Sequence, residues 1–157
     1  MAKAASAVPK GLHTLTPQLT LDKANETIDW YKKAFGATEI YRSLDPDGKV
    51  MHAEIHIGDS AFFCNDVMMG HGPKGYGGSP AGFWLYVNDS DALFKRAVDA
   101  GAKVAQPIED QFWGDRAGLV TDPAGYHWWI ATRKEDLMPE EIKQRAEAHF
   151  ARMAQPK

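Results

Sequence analysis

The feature that most constrains this chain is a pattern it carries twice. Residues 115–121 and 126–132 read as strands joined by Asp122-Pro123-Ala124-Gly125. In such a turn proline presets φ and glycine accepts the left-handed position that follows. Earlier, His52-Ala53-Glu54-Ile55-His56-Ile57-Gly58-Asp59-Ser60-Ala61-Phe62-Phe63-Cys64 has the same order of strand, glycine turn and aromatic strand. An amphipathic helix lies upstream of each, closed by Gly36 and Gly101, which are 65 positions apart, while Gly58 and Gly125 are 67 apart. A nearly constant offset through matching elements marks an internal repeat. The chain is therefore expected to hold two β-α-β-β-β modules, at 13–66 and 81–132. Around them lie a flexible tail at 1–12, a glycine-rich linker or lid at 67–80, and a C-terminal helix within 133–157. The fold class expected is α+β, with the modules forming a curved, half-open mixed barrel around a cleft.

Local signals support each element. Thr14, Thr16, Gln18 and Thr20 alternate with Leu15, Pro17, Leu19 and Leu21, the period of a strand with one apolar face. Asp22 is placed to cap a helix whose stripe is Ile28, Tyr31 and Phe35. Asp45-Pro46-Asp47-Gly48 turns the chain between strands at 38–44 and 49–57. In the second half, Asp89 or Ser90 caps a helix carrying Leu93, Phe94, Ala97 and Val98. Past Thr132, Asp136 is placed to cap a helix with the stripe Ile142, Ala146, Phe150 and Met153. That stripe must dock on the body or on a second subunit, so a homodimer is expected.

Composition excludes several classes of function. The 157 residues carry 18 basic and 21 acidic side chains, a net charge of −3, with no basic stripe for nucleic acid or an anionic membrane. No apolar run approaches the ~18 residues of a spanning helix, and Met1 to Lys10 has no signal-peptide core. One cysteine, Cys64, excludes an internal disulfide and suits a reducing compartment, so a cytoplasmic protein is expected. Gly72-Pro73-Lys74-Gly75-Tyr76-Gly77-Gly78-Ser79 lacks the Gly-Lys-Ser/Thr order of a phosphate loop.

Candidate site residues follow from strand alternation. His52, Glu54 and His56 share one strand face, opposite Ala53, Ile55 and Ile57. Trp84, Tyr86 and Trp129 fall on the face lining the expected cleft, since Phe83, Leu85, Trp128 and Ile130 already supply the core. Phe62 and Trp113 join them as walls, Gln18 and His127 as polar contacts, and Arg116 at the rim. Aromatic walls with few polar groups suit a small organic molecule that is flat or apolar. Asp115 and Arg116 read either as a grip for an anionic ligand or as partners of their own surroundings. Cys64, among Ala61, Phe62 and Phe63, reads as a small buried hydrophobe.

These residues also carry a family resemblance. Ile28-Asp29-Trp30-Tyr31-Lys32-Lys33-Ala34-Phe35-Gly36-Ala37 and Asp122-Pro123-Ala124-Gly125-Tyr126 resemble the vicinal oxygen chelate superfamily of glyoxalase I, bleomycin-resistance proteins and extradiol dioxygenases. Met51-His52-Ala53-Glu54, Ile57-Gly58-Asp59-Ser60 and Gln111-Phe112-Trp113-Gly114-Asp115-Arg116 resemble its phosphonate-operon-associated, glyoxalase-like branch. The resemblance covers roughly 14–133 and is specific for fold rather than reaction. It implies a divalent ion held from the first, fourth, fifth and eighth strands. Those positions fall on Thr16, on Phe62 or Phe63, on Gly82 and on Trp129. Phenyl, indole and glycine offer no donor, so no metal is expected there. His52, Glu54 and His56, with His127, leave a non-standard divalent site as an alternative.

Two functions are consistent with these readings. One is a binding protein without catalysis, requiring no cofactor. The other is a lyase, isomerase or dioxygenase of the same superfamily, with an unusual metal site or metal-free acid–base chemistry. No catalytic residue is assigned, and neither nucleic acid nor a membrane is expected as a partner.

Overall fold

The computed structural model describes residues 7–68 and 72–153. Residues 1–6 of the expected tail, 69–71 of the linker and 154–157 at the end lie outside the described residues. The chain divides into two compact units, one up to Pro80 with Pro123–Tyr126, the other Ala81–Asp122 with His127 onward.

The first unit contains β1 (Gln18–Leu21), α1 (Ala24–Phe35), β2 (Thr38–Leu44), β3 (Val50–Ile57) and β4 (Ser60–Asp66). Its sheet has the order β1-β4-β3-β2, with β1 parallel to β4 and the other pairs antiparallel. The helix buries Ala24, Ile28, Tyr31, Ala34 and Phe35, the three-and-four spacing of one helical face. It ends at Gly36, whose φ of 69° is left-handed backbone that glycine adopts without a side-chain penalty. Beneath it lie Ala53, Ile55, Phe62 and Cys64. Burying such side chains stabilises by about 1.5–3 kcal/mol for each large one.

Two expectations are corrected in this unit. The alternation before Gln18 does not continue the strand, because Pro17 has no N–H to donate and the Thr16 hydroxyl turns to the His13 carbonyl at 3.2 Å. Asp22 does not cap α1, since no side chain of the N-cap region does so. Asp66, at the end of β4, accepts the Ala24 N–H at 2.8 Å and the Val50 N–H at 2.7 Å. Asp22 instead accepts the Gly72 N–H at 3.1 Å, where a Cβ would lie 2.6 Å from its carboxylate. A short 3-10 turn, Pro73–Tyr76, follows in the linker.

The second unit repeats the order with β5 (Gly82–Tyr86), α2 (Ser90–Asp99), β6 (Lys103–Asp110), β7 (Asp115–Thr121) and β8 (His127–Arg133). Its sheet order is β5-β8-β7-β6, again with one parallel pair, β5 with β8. Asp89 caps α2 by accepting the Ala92 N–H at 2.9 Å. The repeat is therefore real at the level of pairing: Gln18 beside Phe63 recurs as Trp84 beside Trp129, each 66 positions later. Neither four-stranded sheet closes on itself. After β8 comes α3 (Pro139–Met153), which buries none of its side chains. Asp136 does not cap it but pairs with Arg133 at 2.7 Å, and Glu141 accepts the Met138 N–H at 2.8 Å instead.

Candidate functional site

Each unit presents a sheet face that its helix does not cover. In the first, β3 sends His52, Glu54 and His56 to that face, as alternation requires. Glu54 pairs across the sheet with Phe63, which lies beside Gln18. The His56 Nε2 and a Glu54 oxygen are 2.7 Å apart, so these two side chains satisfy one another. His52 packs between Tyr41 and Phe63, with ring centroids at 5.5 and 4.6 Å. Gln18 donates to Asn65 at 2.8 Å, and Thr20 donates to the same oxygen at 3.5 Å. The face is polar and internally hydrogen-bonded.

In the second unit the corresponding face is aromatic. Trp84 on β5 and Trp129 on β8 stack with centroids 4.9 Å apart and planes inclined by 10°. Tyr86 continues the row at 5.9 Å and 21° from Trp84. Trp113 stands edge-on to both indoles, 6.2 Å from Trp84 and 6.1 Å from Trp129. Offset and edge-to-face arrangements of this kind are favoured by the ring quadrupoles. Trp84 is 46% exposed and Tyr86 55%, large areas for aromatic side chains in a folded chain. Phe112 stacks edge-on against Trp113 at 4.9 Å and carries His149 and Phe150 of α3 at 5.2 and 5.9 Å.

Under this row lies Asp115, 2% exposed at the start of β7. Its Oδ2 accepts from the Tyr86 hydroxyl and from the Trp113 indole N–H, each at 3.0 Å. Its Oδ1 is buried and accepts nothing among the described residues. Burial pushes the Tyr86 hydroxyl above the ordinary phenol range, and the hydrogen bond to Asp115 adds to the shift. Trp113 is held by a tight turn in which the Gly114 N–H meets the Gln111 carbonyl at 3.1 Å. Gly114 has φ 94°, and a Cβ there would lie 3.0 Å from the Glu135 carbonyl, so glycine is required.

The structure thus brings Gln18, His52, Glu54 and His56 together on one face, and Trp84, Tyr86, Trp113 and Trp129 on another. These sets belong to different compact units. His127, in the second unit, shares a 3.1 Å hydrogen bond with the Thr121 hydroxyl. Two expected site residues are corrected. Phe62 is 6% exposed and meets the Tyr31 ring at 5.6 Å, under α1. Phe63 takes the face position, because Glu54 pairs with Phe63 and Ile55 with Phe62. Arg116 pairs with Thr132 and points to the helix side, where it holds Asp91 of α2 at 2.6 and 2.7 Å and Asp110 at 3.2 Å. Those carboxylates hold its guanidinium pKa above the ordinary range. Sequence reasoning missed Tyr41, Asn65 and the burial of Asp115 beneath the tryptophans.

The family's metal positions do not fit an ion. Phe63, not Phe62, matches Trp129 by strand pairing, and Gly82 lies 66 positions after Thr16. The donor set is one hydroxyl, already turned to the His13 carbonyl, with a phenyl, an indole and a glycine. Among the described residues, no group of three or more His, Cys, Asp or Glu is placed to hold a metal ion.

Comparison with known proteins agrees with this architecture. Residues 12–130 match the model of the Glyoxalase/Bleomycin resistance protein/Dioxygenase superfamily. An uncharacterised protein of Mycobacterium tuberculosis is 42% identical over 135 residues, covering 82% of this chain and 79% of that one. The X-ray structure of an Arabidopsis thaliana gene product is 30% identical, with a TM-score of 0.63, over 78% of this chain and 99% of its own. TioX from Micromonospora sp. ML1 is 26% identical, with a TM-score of 0.62, over 77% of this chain and 98% of its own.

Proposed function

Since the chain belongs to the Glyoxalase/Bleomycin resistance protein/Dioxygenase superfamily, we propose that it binds a small organic molecule with a flat or apolar part on the aromatic face of its second module. The observation that carries this reading is the stack of Trp129, Trp84 and Tyr86, because two of its three rings are about half exposed. A fold has no need to leave an ordered indole and phenol stack in water, whereas a ligand gains area and ring contacts there. Strand pairing fixes the spacing of the rings before any ligand arrives, so little ordering is left to offset affinity. Asp115 anchors Tyr86 of the stack and Trp113 beside it by their polar ends, which supports the same conclusion.

Isothermal titration calorimetry with naphthylmethanol, a neutral planar probe, tests the reading. Saturable binding to the wild type is expected, and Trp129→Ala should weaken it by more than about 2 kcal/mol. Binding that survives Trp129→Ala unchanged would refute it. A homodimer is proposed alongside, supported by the 59% and 71% exposure of Phe150 and Met153 on α3. Light scattering at ~50 μM should give twice the chain mass; a monomer there would sink that proposal.

A further inference from the structure

We propose that the preferred ligand of this aromatic face is an organic cation, a protonated amine attached to a planar or apolar group. The proposal rests on the reading of that face as a binding site and specifies its chemistry. Asp115 is the reason. A carboxylate only 2% exposed should have every oxygen satisfied, yet Oδ1 accepts nothing among the described residues. The position itself does not demand a charge, because the matching strand of the first module begins with Val50, also buried. The aspartate is directed into the aromatic row, since its other oxygen takes the Tyr86 hydroxyl and the Trp113 N–H.

The charged groups linked to Asp115 do not neutralise it. Arg133 faces Asp115 across the β7–β8 ladder, but its Nε is drawn to Asp136 at 2.7 Å. Two carboxylates and one guanidinium leave Asp115, Arg133 and Asp136 with a net negative charge. The aromatic face consists of three indoles and a phenol, whose negative π-clouds attract cations, tryptophan most strongly. Donating a hydrogen bond to a carboxylate pushes electron density back into the Tyr86 and Trp113 rings, which strengthens that attraction. A neutral planar molecule would use the rings and leave the buried charge uncompensated. An anion would be repelled by it.

Three probes with one ring system separate these cases by calorimetry: naphthylmethylammonium, naphthylmethanol and naphthoate. The wild type should bind the ammonium about tenfold more tightly than the alcohol, and naphthoate most weakly. Asp115→Asn should bring ammonium and alcohol within about twofold of one another. Arg133→Gln, on a half-exposed side chain, removes the cation that faces Asp115 across the ladder and should widen the ammonium preference about threefold. It decides the matter if Asp115→Asn does not fold, and an unchanged preference would overturn the proposal. Equal binding of ammonium and alcohol by the wild type would overturn it too, while leaving the aromatic face as a binding site. Failure of all three probes would remove the binding site itself.

Discussion

At Gln18, Thr20 and Phe63 the first module carries an amide, a hydroxyl and a phenyl; 66 positions later the second carries Trp84, Tyr86 and Trp129. The backbone pairing is the same, so the difference lies in what the face is for. In the first, Gln18 with Asn65 and Glu54 with His56 satisfy one another at 2.8 and 2.7 Å. Polar groups matched in this way gain little from a newcomer. In the second, two rings about half exposed and a carboxylate oxygen without a partner among the described residues leave interactions to be made. Duplication supplies two equivalent scaffolds, and only one of them departs from what its own stability needs.

The comparison is sharpest where both modules solve one problem with different atoms. The first N–H groups of a helix have no partner inside it. Asp66 meets this need for α1 and also holds Val50, whereas Thr132, 66 positions on, accepts the Ser90 N–H at 2.8 Å and donates to the Val87 carbonyl at 2.9 Å. Asp66→Ala leaves two buried backbone donors unsatisfied and should cost about 3 kcal/mol, read from the urea midpoint. Thr132→Val keeps the volume and should cost about 1 kcal/mol. Equal losses would show that the carboxylate does no more than the hydroxyl.

The next largest effect concerns ligand rather than stability. Trp129→Ala should reduce affinity for naphthylmethanol by more than about 2 kcal/mol, whereas the matching Phe63→Ala should leave it within about 0.5 kcal/mol. A comparable loss from Phe63→Ala would break the division of labour between the faces. A third substitution tests the helix side. Gly118 and Ala53 are matching positions, but a Cβ on Gly118 would lie 2.5 Å from the Phe94 ring and 2.9 Å from the Ile108 backbone. Gly118→Ala should therefore destabilise by about 1–3 kcal/mol although the first module holds an alanine there. A neutral result would mean that α2 shifts freely on its sheet.

The same comparison explains what could be read from the sequence. The repeat, its glycine-closed helix and its Asp-Pro-Ala-Gly turn were legible because turn chemistry and helix periodicity are local. The Phe62/Phe63 ambiguity was not resolvable within Ala61-Phe62-Phe63-Cys64, a run with no polar alternation; only pairing with Glu54 and Ile55 decides it. Asp22 looked like a cap because it precedes the helix, but a residue 42 positions from Ala24 does that work. Asp115 read, with Arg116, either as a grip for an anionic ligand or as a partner of its own surroundings, since neighbouring charges in a sequence do not reveal that one of them is buried. Its Trp113-Gly114-Asp115 setting was the available signal: an indole donor and a tight turn delivering it to the carboxylate.

The smallest effect comes from Arg116, which sequence reasoning placed at the rim. Arg116 occupies the position matched by Met51 in the first module and ties β7 to Asp91 of α2. Arg116→Met would copy the first module's solution and remove that tie. The Arg116 hydrogen bond holds the Asp91 carboxyl below its ordinary range. A carboxyl whose pKa is depressed on folding stabilises the fold above its unfolded value, and that contribution disappears as pH falls through the folded value. The relevant window lies below about pH 4, given an ordinary aspartate near 3.9. Asp91 is exposed and Arg116 partly so, so screening keeps the contribution small. The wild type should lose its slight advantage in urea midpoint over Arg116→Met on going from about pH 6 to about pH 3. An advantage that persists at the acid end would mean that Arg116 stabilises through something that neither its carboxylate partners nor a methionine at that position supplies.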